Sequence, residues 1–119
     1  MNHKNAIIIT LNEEVPEIED LADSLDYIII KTFIQNRKTP DVNSYIGSGK
    51  VEEITDFLET TDKGINLVII AGELKPSQWF NLEKKLGIDV FDRVRLILAI
   101  FEERADKKEA KLQVKLAQL

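Results

Sequence analysis

The chain of 119 residues contains no cysteine, so disulfides, thiolate metal sites and cysteine nucleophiles are excluded. That absence is compatible with a reducing cytosol. Histidine is nearly absent too. The single His3 lies at the N-terminal end, which removes Ser-His-Asp catalysis and multi-histidine metal sites from consideration. Long hydrophobic runs are also missing. Ala6–Ile9, Leu67–Ala71 and Leu96–Phe101 fall far short of the ~20 residues a membrane helix needs. The N-terminus lacks the basic patch, apolar core and small-residue cleavage site of a secretory signal. No internal repeat or low-complexity segment interrupts the chain. Cytoplasmic residence is therefore expected, with no membrane span.

What is present suits one soluble domain. The length is one domain's worth. A chain of this size hides roughly two-thirds of its unfolded surface without metal or disulfide staples. Apolar residues make up 44% and charged residues 31%. The net charge of −5 argues against a non-specific nucleic-acid coat, but the charge is unevenly spread. Glu13–Asp26 holds seven acids and no base, whereas Arg104–Leu119 holds five bases against Asp106 and Glu109.

The periodicity alternates between strand and helix. Ala6–Leu11 is a continuous apolar run, as expected for a strand buried on both faces. Pro16–Leu25 follows as a helix, with Pro16 in its first turn and Ile18, Leu21, Ala22 and Leu25 on one face. The β-branched and aromatic Tyr27–Ile34 makes a second strand. A loop then runs to Gly47-Ser48-Gly49-Lys50, where a second helix opens, with Val51, Ile54, Phe57 and Leu58 buried and Gly64 as its stop. Asn66–Ala71 is the third strand. Pro76 starts a third helix, striped by Trp79, Leu82 and Leu86 and ended by Gly87. Ile88–Phe91 is a short fourth strand. Asp92 is the expected cap of a fourth helix that turns Val94, Ile97, Leu98 and Phe101 inward and breaks near Ala105-Asp106. Asp106 and Glu109 then read as a capping box for a last segment, whose Leu112, Leu116 and Leu119 have coiled-coil spacing. No cap closes that segment, so the helix is expected to continue in a parent protein. The expected fold is α/β: a four-stranded, mainly parallel sheet with helices on both faces, ending in the start of a coiled-coil helix.

Few residues suggest chemistry. Gly47–Lys50 ends like a Walker A loop, but the upstream glycine falls on Ser44 and the residue after the lysine is Val51. Two readings stay open. Glycines at a helix N-terminus expose N–H groups that suit an anion, with Lys50, Arg37 and Lys38 adding charge. Alternatively, they make only a tight entry into the helix. Asp92-Arg93 lies at the strand edge where open α/β sheets bind ligands, and reads equally as a cap with a local ion pair. Trp79 reads as core, the acids of Glu13–Asp26 as a solvated helix face. Nothing offers paired carboxylates for acid/base work, and no metal site is expected.

Four segments carry a resemblance. Tyr45–Ile54 (YIGSGKVEEI), Pro76–Gly87 (PSQWFNLEKKLG), Asp92–Arg104 (DRVRLILAIFEER) and Glu109–Leu119 (EAKLQVKLAQL) occur in the order and spacing of the HflX family of GTP-binding proteins. The chain resembles that family's N-terminal domain along essentially its whole length. It departs from the usual pattern at Trp79, where a polar residue is commoner, and in its acidic first helix.

The resemblance implies residues 1–105 as the α/β N-terminal domain and 106–119 as the start of a helical linker toward a GTPase domain outside this chain. It implies no enzyme activity and no cofactor for the chain itself; GTP and magnesium belong to the absent G domain. It implies a regulatory and ribosome-binding role, with the large ribosomal subunit and its RNA as partner during splitting or rescue of stalled ribosomes, and the protein's own GTPase domain as a second partner. The RNA- or phosphate-binding candidates are then Arg37, Lys38, Tyr45, Gly47, Ser48, Gly49 and Lys50, with Tyr45 stacking on an exposed base. Arg93, Lys107, Lys108, Lys111 and Lys115 form a secondary set. The alternative is a nucleotide- or phosphate-binding module at Gly47–Lys50 that modulates the attached GTPase.

Overall fold

A computed structural model describes the backbone of residues 4–118 and the side chains of residues 4–105. Four strands and four helices alternate strictly: β1 (Lys4–Leu11), α1 (Pro16–Asp23), β2 (Tyr27–Gln35), α2 (Ser48–Thr60), β3 (Leu67–Ile70), α3 (Pro76–Leu86), β4 (Val90–Phe91) and α4 (Arg93–Gln118). The strands form one sheet in the order β2-β1-β3-β4, and every pairing is parallel. The isoleucine run explains why β1 is central. Residues Ala6–Ile9 are at most 2% exposed, which only a strand covered on both faces achieves. β3, beside it, is buried at all four positions.

Two cores flank the sheet. On one face, Ile7, Ile9, Phe33, Val68 and Ile70 meet Val51 and Ile54 of α2 and Leu82 and Leu86 of α3. On the other, Ala6, Ile8, Leu67 and Ile69 meet Ile18 and Ala22 of α1 and Leu96 and Ile100 of α4. Among the described residues no helix is long and apolar enough to cross a membrane.

Local signals account for most boundaries. Pro16 and Pro76 sit in first turns, where a missing N–H costs nothing. Gly87 takes the left-handed conformation (φ 68°) that closes α3. Asp92, 4% exposed, caps α4: its Oδ1 accepts the Arg95 N–H at 2.8 Å, and its Oδ2 accepts the Leu74 N–H at 3.0 Å.

Three expectations are corrected. α2 stops at Thr60, ahead of Gly64. The β-branched Thr60-Thr61 pair ends it, Thr60 bonding back to the Asp56 carbonyl while Thr61 is already extended. α4 does not break at Ala105-Asp106 but runs unbroken to Gln118. A capping-box pattern inside a helix-favouring stretch does not by itself interrupt it. The inward face of α4 also differs. Leu96 (0% exposed) and Ile100 (9%) are buried, whereas Val94 (53%), Leu98 (49%) and Phe101 (62%) face outward. Seven of the eight residues Val94–Phe101 are apolar, so the pattern alone does not select a side. The side chains that would make the coiled-coil seam, Leu112, Leu116 and Leu119, lie outside the described residues.

Candidate nucleic-acid interface

The loops at the carboxyl ends of parallel strands are where such sheets present ligand sites. Here that edge is dominated by the segment between β2 and α2, residues 36–47. It is fastened at several points. Asp41 and Tyr45 exchange backbone hydrogen bonds at 2.9 and 3.0 Å, closing a small ring. Inside it, the Asp41 carboxylate accepts the N–H groups of Asn43 (2.9 Å) and Ser44 (3.0 Å). The Ser44 and Asn43 amides hold the Asp41 carboxyl below its ordinary value, and nearby Arg37 and Lys85 act in the same direction.

α3 grips the ring from outside. The Gln78 Nε2 donates to the Asp41 carbonyl at 2.7 Å, Asn81 Nδ2 to the Asn43 carbonyl at 2.8 Å, and Lys85 Nζ to the Ser44 hydroxyl at 3.0 Å. Gln78 is only 4% exposed, and its Oε1 also accepts the N–H of Lys75 at 2.9 Å. Gln78, Asn81 and Lys85 lie three and four residues apart, so they form one polar row on the helix. Sequence reasoning missed this row because the apolar stripe of Leu82 and Leu86 masked it. The available signal was the polar spacing itself, Gln-x-x-Asn-x-x-x-Lys.

Tyr45 is the strained member. Its φ is +69°, a left-handed conformation that a bulky side chain rarely adopts. Its ring belongs to the core on the α2/α3 side, 7% exposed, and burial pushes its phenol up. Its hydroxyl lies against Gly72, where any Cβ would strike it. Stacking on an exposed base is therefore not open to Tyr45 as it is placed here.

The basic candidates divide. Arg37 is drawn to the entry of α2. A Cβ at Gly47 would come within 3.0 Å of the Arg37 guanidinium and 3.1 Å of the Gln35 amide, so a larger residue there would push both side-chain ends aside. Arg37 donates from Nε to the Thr39 carbonyl at 3.1 Å and stands 3.9 Å from Asp41; its backbone N–H goes to Asn12 Oδ1 at 2.9 Å. Lys38 is exposed and makes no ion pair among the described residues. Arg37 and Lys38 share a shallow hollow of about 390 Å³ with Asn12 and Asn36.

Gly47 is the N-cap of α2, which carries no side-chain cap. The Gly47 N–H is already taken by Gln35 Oε1 at 2.9 Å. Ser48 and Gly49 are exposed in the first turn. Lys50 turns along its own helix to Glu53 Oε2 at 3.0 Å, so its charge is partly answered.

Arg93 stands apart from this group. It pairs with Glu17 Oε1 at 2.6 Å, and that carboxylate holds its guanidinium above the ordinary value. Its backbone N–H donates to the Gly72 carbonyl at 3.0 Å. Arg93 thus links the first turn of α1 to the loop after β3, beside the point where strand order reverses. Lys107, Lys108, Lys111 and Lys115 lie outside the residues whose side chains are described. Among the described residues no group of acids or histidine is arranged to hold a metal ion.

Comparison with known proteins converges on one family. The family model for the GTP-binding GTPase N-terminal domain matches residues 12–102. A GTPase HflX from Alkalihalophilus pseudofirmus is 42% identical over 107 residues, covering 90% of this chain and 25% of that protein. One from Thermococcus kodakarensis is 45% identical over 104 residues, covering 87% and 23%. A crystal structure of a GTP-binding protein from the hyperthermophilic archaeon Sulfolobus solfataricus in complex with GDP superposes with a TM-score of 0.65 at 29% identity, over 82% of this chain and 30% of that one. The chain thus spans about a quarter of the length of the curated relatives it matches. With its alternating order, parallel sheet and matched residues together, the chain belongs to the family of HflX-type GTP-binding GTPase N-terminal domains.

Proposed function

We propose that this chain is the N-terminal regulatory domain of an HflX-type GTPase and that it contacts large-subunit ribosomal RNA through the β2–α2 segment. GTP binding and hydrolysis, with magnesium, belong to a G domain that residues 106–119 lead toward. Splitting or rescue of ribosomes is the process this contact serves, in the cytoplasm.

The supporting observation is the approach of Arg37 to the uncapped start of α2, with Lys38 sharing a hollow with Arg37. Arg37 approaches a helix N-terminus, with Lys38 next to it, on a segment that α3 fastens at Asp41, Asn43 and Ser44. Rigid placement suits phosphate contacts, because little ordering entropy remains to be lost on binding. The acidic α1 packs on the opposite face of the sheet, and its first-turn Glu17 is paired with Arg93.

The test is sedimentation with purified large ribosomal subunits across a salt series, comparing the wild type with Arg37/Lys38/Lys50→Ala. The measurement belongs in the longest form of the protein, since a lone domain loses avidity. Binding should weaken steeply with salt, and the triple variant should lower the slope of log affinity against log salt by about 2. Equal affinity and slope would remove this segment from the interface. Calorimetric heat with pyrophosphate or GTP on the isolated chain would instead favour a phosphate-binding module at Gly47–Lys50.

A further inference from the structure

The sheet has two margins, and they are guarded in different ways. At the β4 margin the strand is two residues long, and the Glu83 carboxylate accepts the Val90 N–H at 3.0 Å. Short length and a capping side chain are both ways of blunting an edge. The β2 margin is different. β2 runs nine residues and, among the described residues, pairs with β1 alone. Beyond the β1 ladder and a bond from Asn12 N–H to the Gln35 carbonyl, no main-chain group of β2 has a hydrogen-bond partner among the described residues. Ile28 and Ile34 are 45% and 38% exposed beside it.

We propose that the β2 margin is an acceptor for an extended acidic protein segment, which adds as a fifth strand along Lys31–Gln35. Unused ladder groups supply the affinity of strand addition, and neighbouring side chains supply its selectivity. Ladder groups match a polypeptide main chain and not the backbone of RNA, which places the occupant among proteins.

Charge narrows the occupant further. Tyr27–Pro40 contains Lys31, Arg37 and Lys38 and no acid. Lys31 is exposed in mid-strand, with its ammonium 4.8 Å and 5.2 Å from the ring centres of Phe33 and Phe57. The rings keep that charge beside the margin. A carboxylate on the incoming strand opposite Lys31 makes a favourable cross-strand pair, and a cation there an unfavourable one.

A second copy of the chain is disfavoured by the same residue. The antiparallel two-fold register that sets Ile28 of one copy opposite Ile34 of the other is centred on Lys31, so the two ammonium groups would meet. A bulge adds a second obstacle. The register with β1 slips between Ala6 and Ile7, leaving Ile30 unmatched, and a bulge bends and twists a margin. The regular stretch Lys31–Gln35 remains, long enough for one short segment.

The experiment is an NMR titration of the labelled 119-residue chain with a blocked nonapeptide of alternating threonine and valine carrying a central glutamate, against the same peptide with a central lysine. The glutamate peptide should shift the amides of residues 31–35, and the lysine peptide should bind about fivefold more weakly. Lys31→Ala should erase that preference without unfolding the chain, because the side chain is exposed. In parallel, sedimentation should find the wild type monomeric and Lys31→Ile self-associating. Four outcomes would overturn the proposal. These are no shift of residues 31–35 at millimolar peptide, equal affinity for both peptides, a wild-type dimer through β2, or displacement of the peptide by a short RNA at the same amides.

Discussion

α3 and α4 pack on opposite faces of one sheet and wear their amphipathic patterns in opposite senses. α3 buries Leu82 and Leu86 against the sheet and uses a polar row, Gln78, Asn81 and Lys85, to hold a loop. α4 buries Leu96 and Ile100 and leaves Val94, Leu98 and Phe101 facing outward. One helix uses its polar row inside the domain and leaves a single large apolar side chain, Phe80, outside. The other keeps an apolar stripe on the outside. The difference teaches that a stripe in a sequence reports a face and not what covers it.

The largest test of that contrast is within α4. Leu96→Ala should cost about 2–5 kcal/mol in chemical denaturation, the range for emptying a buried leucine site. Leu98→Ala, on the exposed side, should stay within about 0.5 kcal/mol. Equal costs would mean that the burial of α4 is assigned to the wrong face.

The next effect is in α3. Gln78→Ala should cost about 1–3 kcal/mol, because the Asp41 carbonyl and the Lys75 N–H both lose their partner. Hydrogen exchange at the Tyr45 amide should rise with it, since the ring of residues 41–45 loses its main clamp. Asn81→Ala, whose bond is exposed, should do less on both counts. Unchanged exchange in Gln78→Ala would show that the loop holds itself without α3.

The smallest effect depends on pH. The folded chain holds Asp41 below its ordinary value of 3.8, so the ionised carboxylate favours folding. That contribution is complete above about pH 4 and is lost as pH falls through the lower, folded value. Asp41→Asn keeps an oxygen for the two amides but carries no charge. It should flatten this part of the acid limb in a thermal melt, and an unaltered limb would remove Asp41 as its source.

Much of the fold was legible in the sequence, because its strongest signals are local and redundant. The isoleucine run of β1, Pro16, Pro76, Gly87 and the Asp92 cap each mark an element or its end by a mechanism that acts within a few residues. What was not legible depends on distant neighbours. The facing of Val94–Phe101 needed the position of α1, and the early stop of α2 came from two threonines where Gly64 drew attention.

The candidate site was legible as a segment but not as an arrangement. Arg37 does reach the Gly47 entry, and Lys38 shares a hollow with Arg37. Lys50 turns instead to Glu53, Arg93 to Glu17, and Tyr45 into the core. A spacing such as Gly-x-Gly-Lys fixes the backbone of a helix entry. It does not fix where a long cationic side chain finds its nearest carboxylate.

The central position of β1 has a consequence for how the protein is made. Ala6 pairs with Leu67, and the strand between them in sequence lies on the other side of β1. The first of the domain's four strands therefore waits for the third before both of its ladders can close. At roughly 5–20 residues per second, that interval is about 3–12 s. Through it, β1 has only β2 and α1 of this domain for shelter, so early misfolding of the domain should be most sensitive to substitutions within residues 4–35.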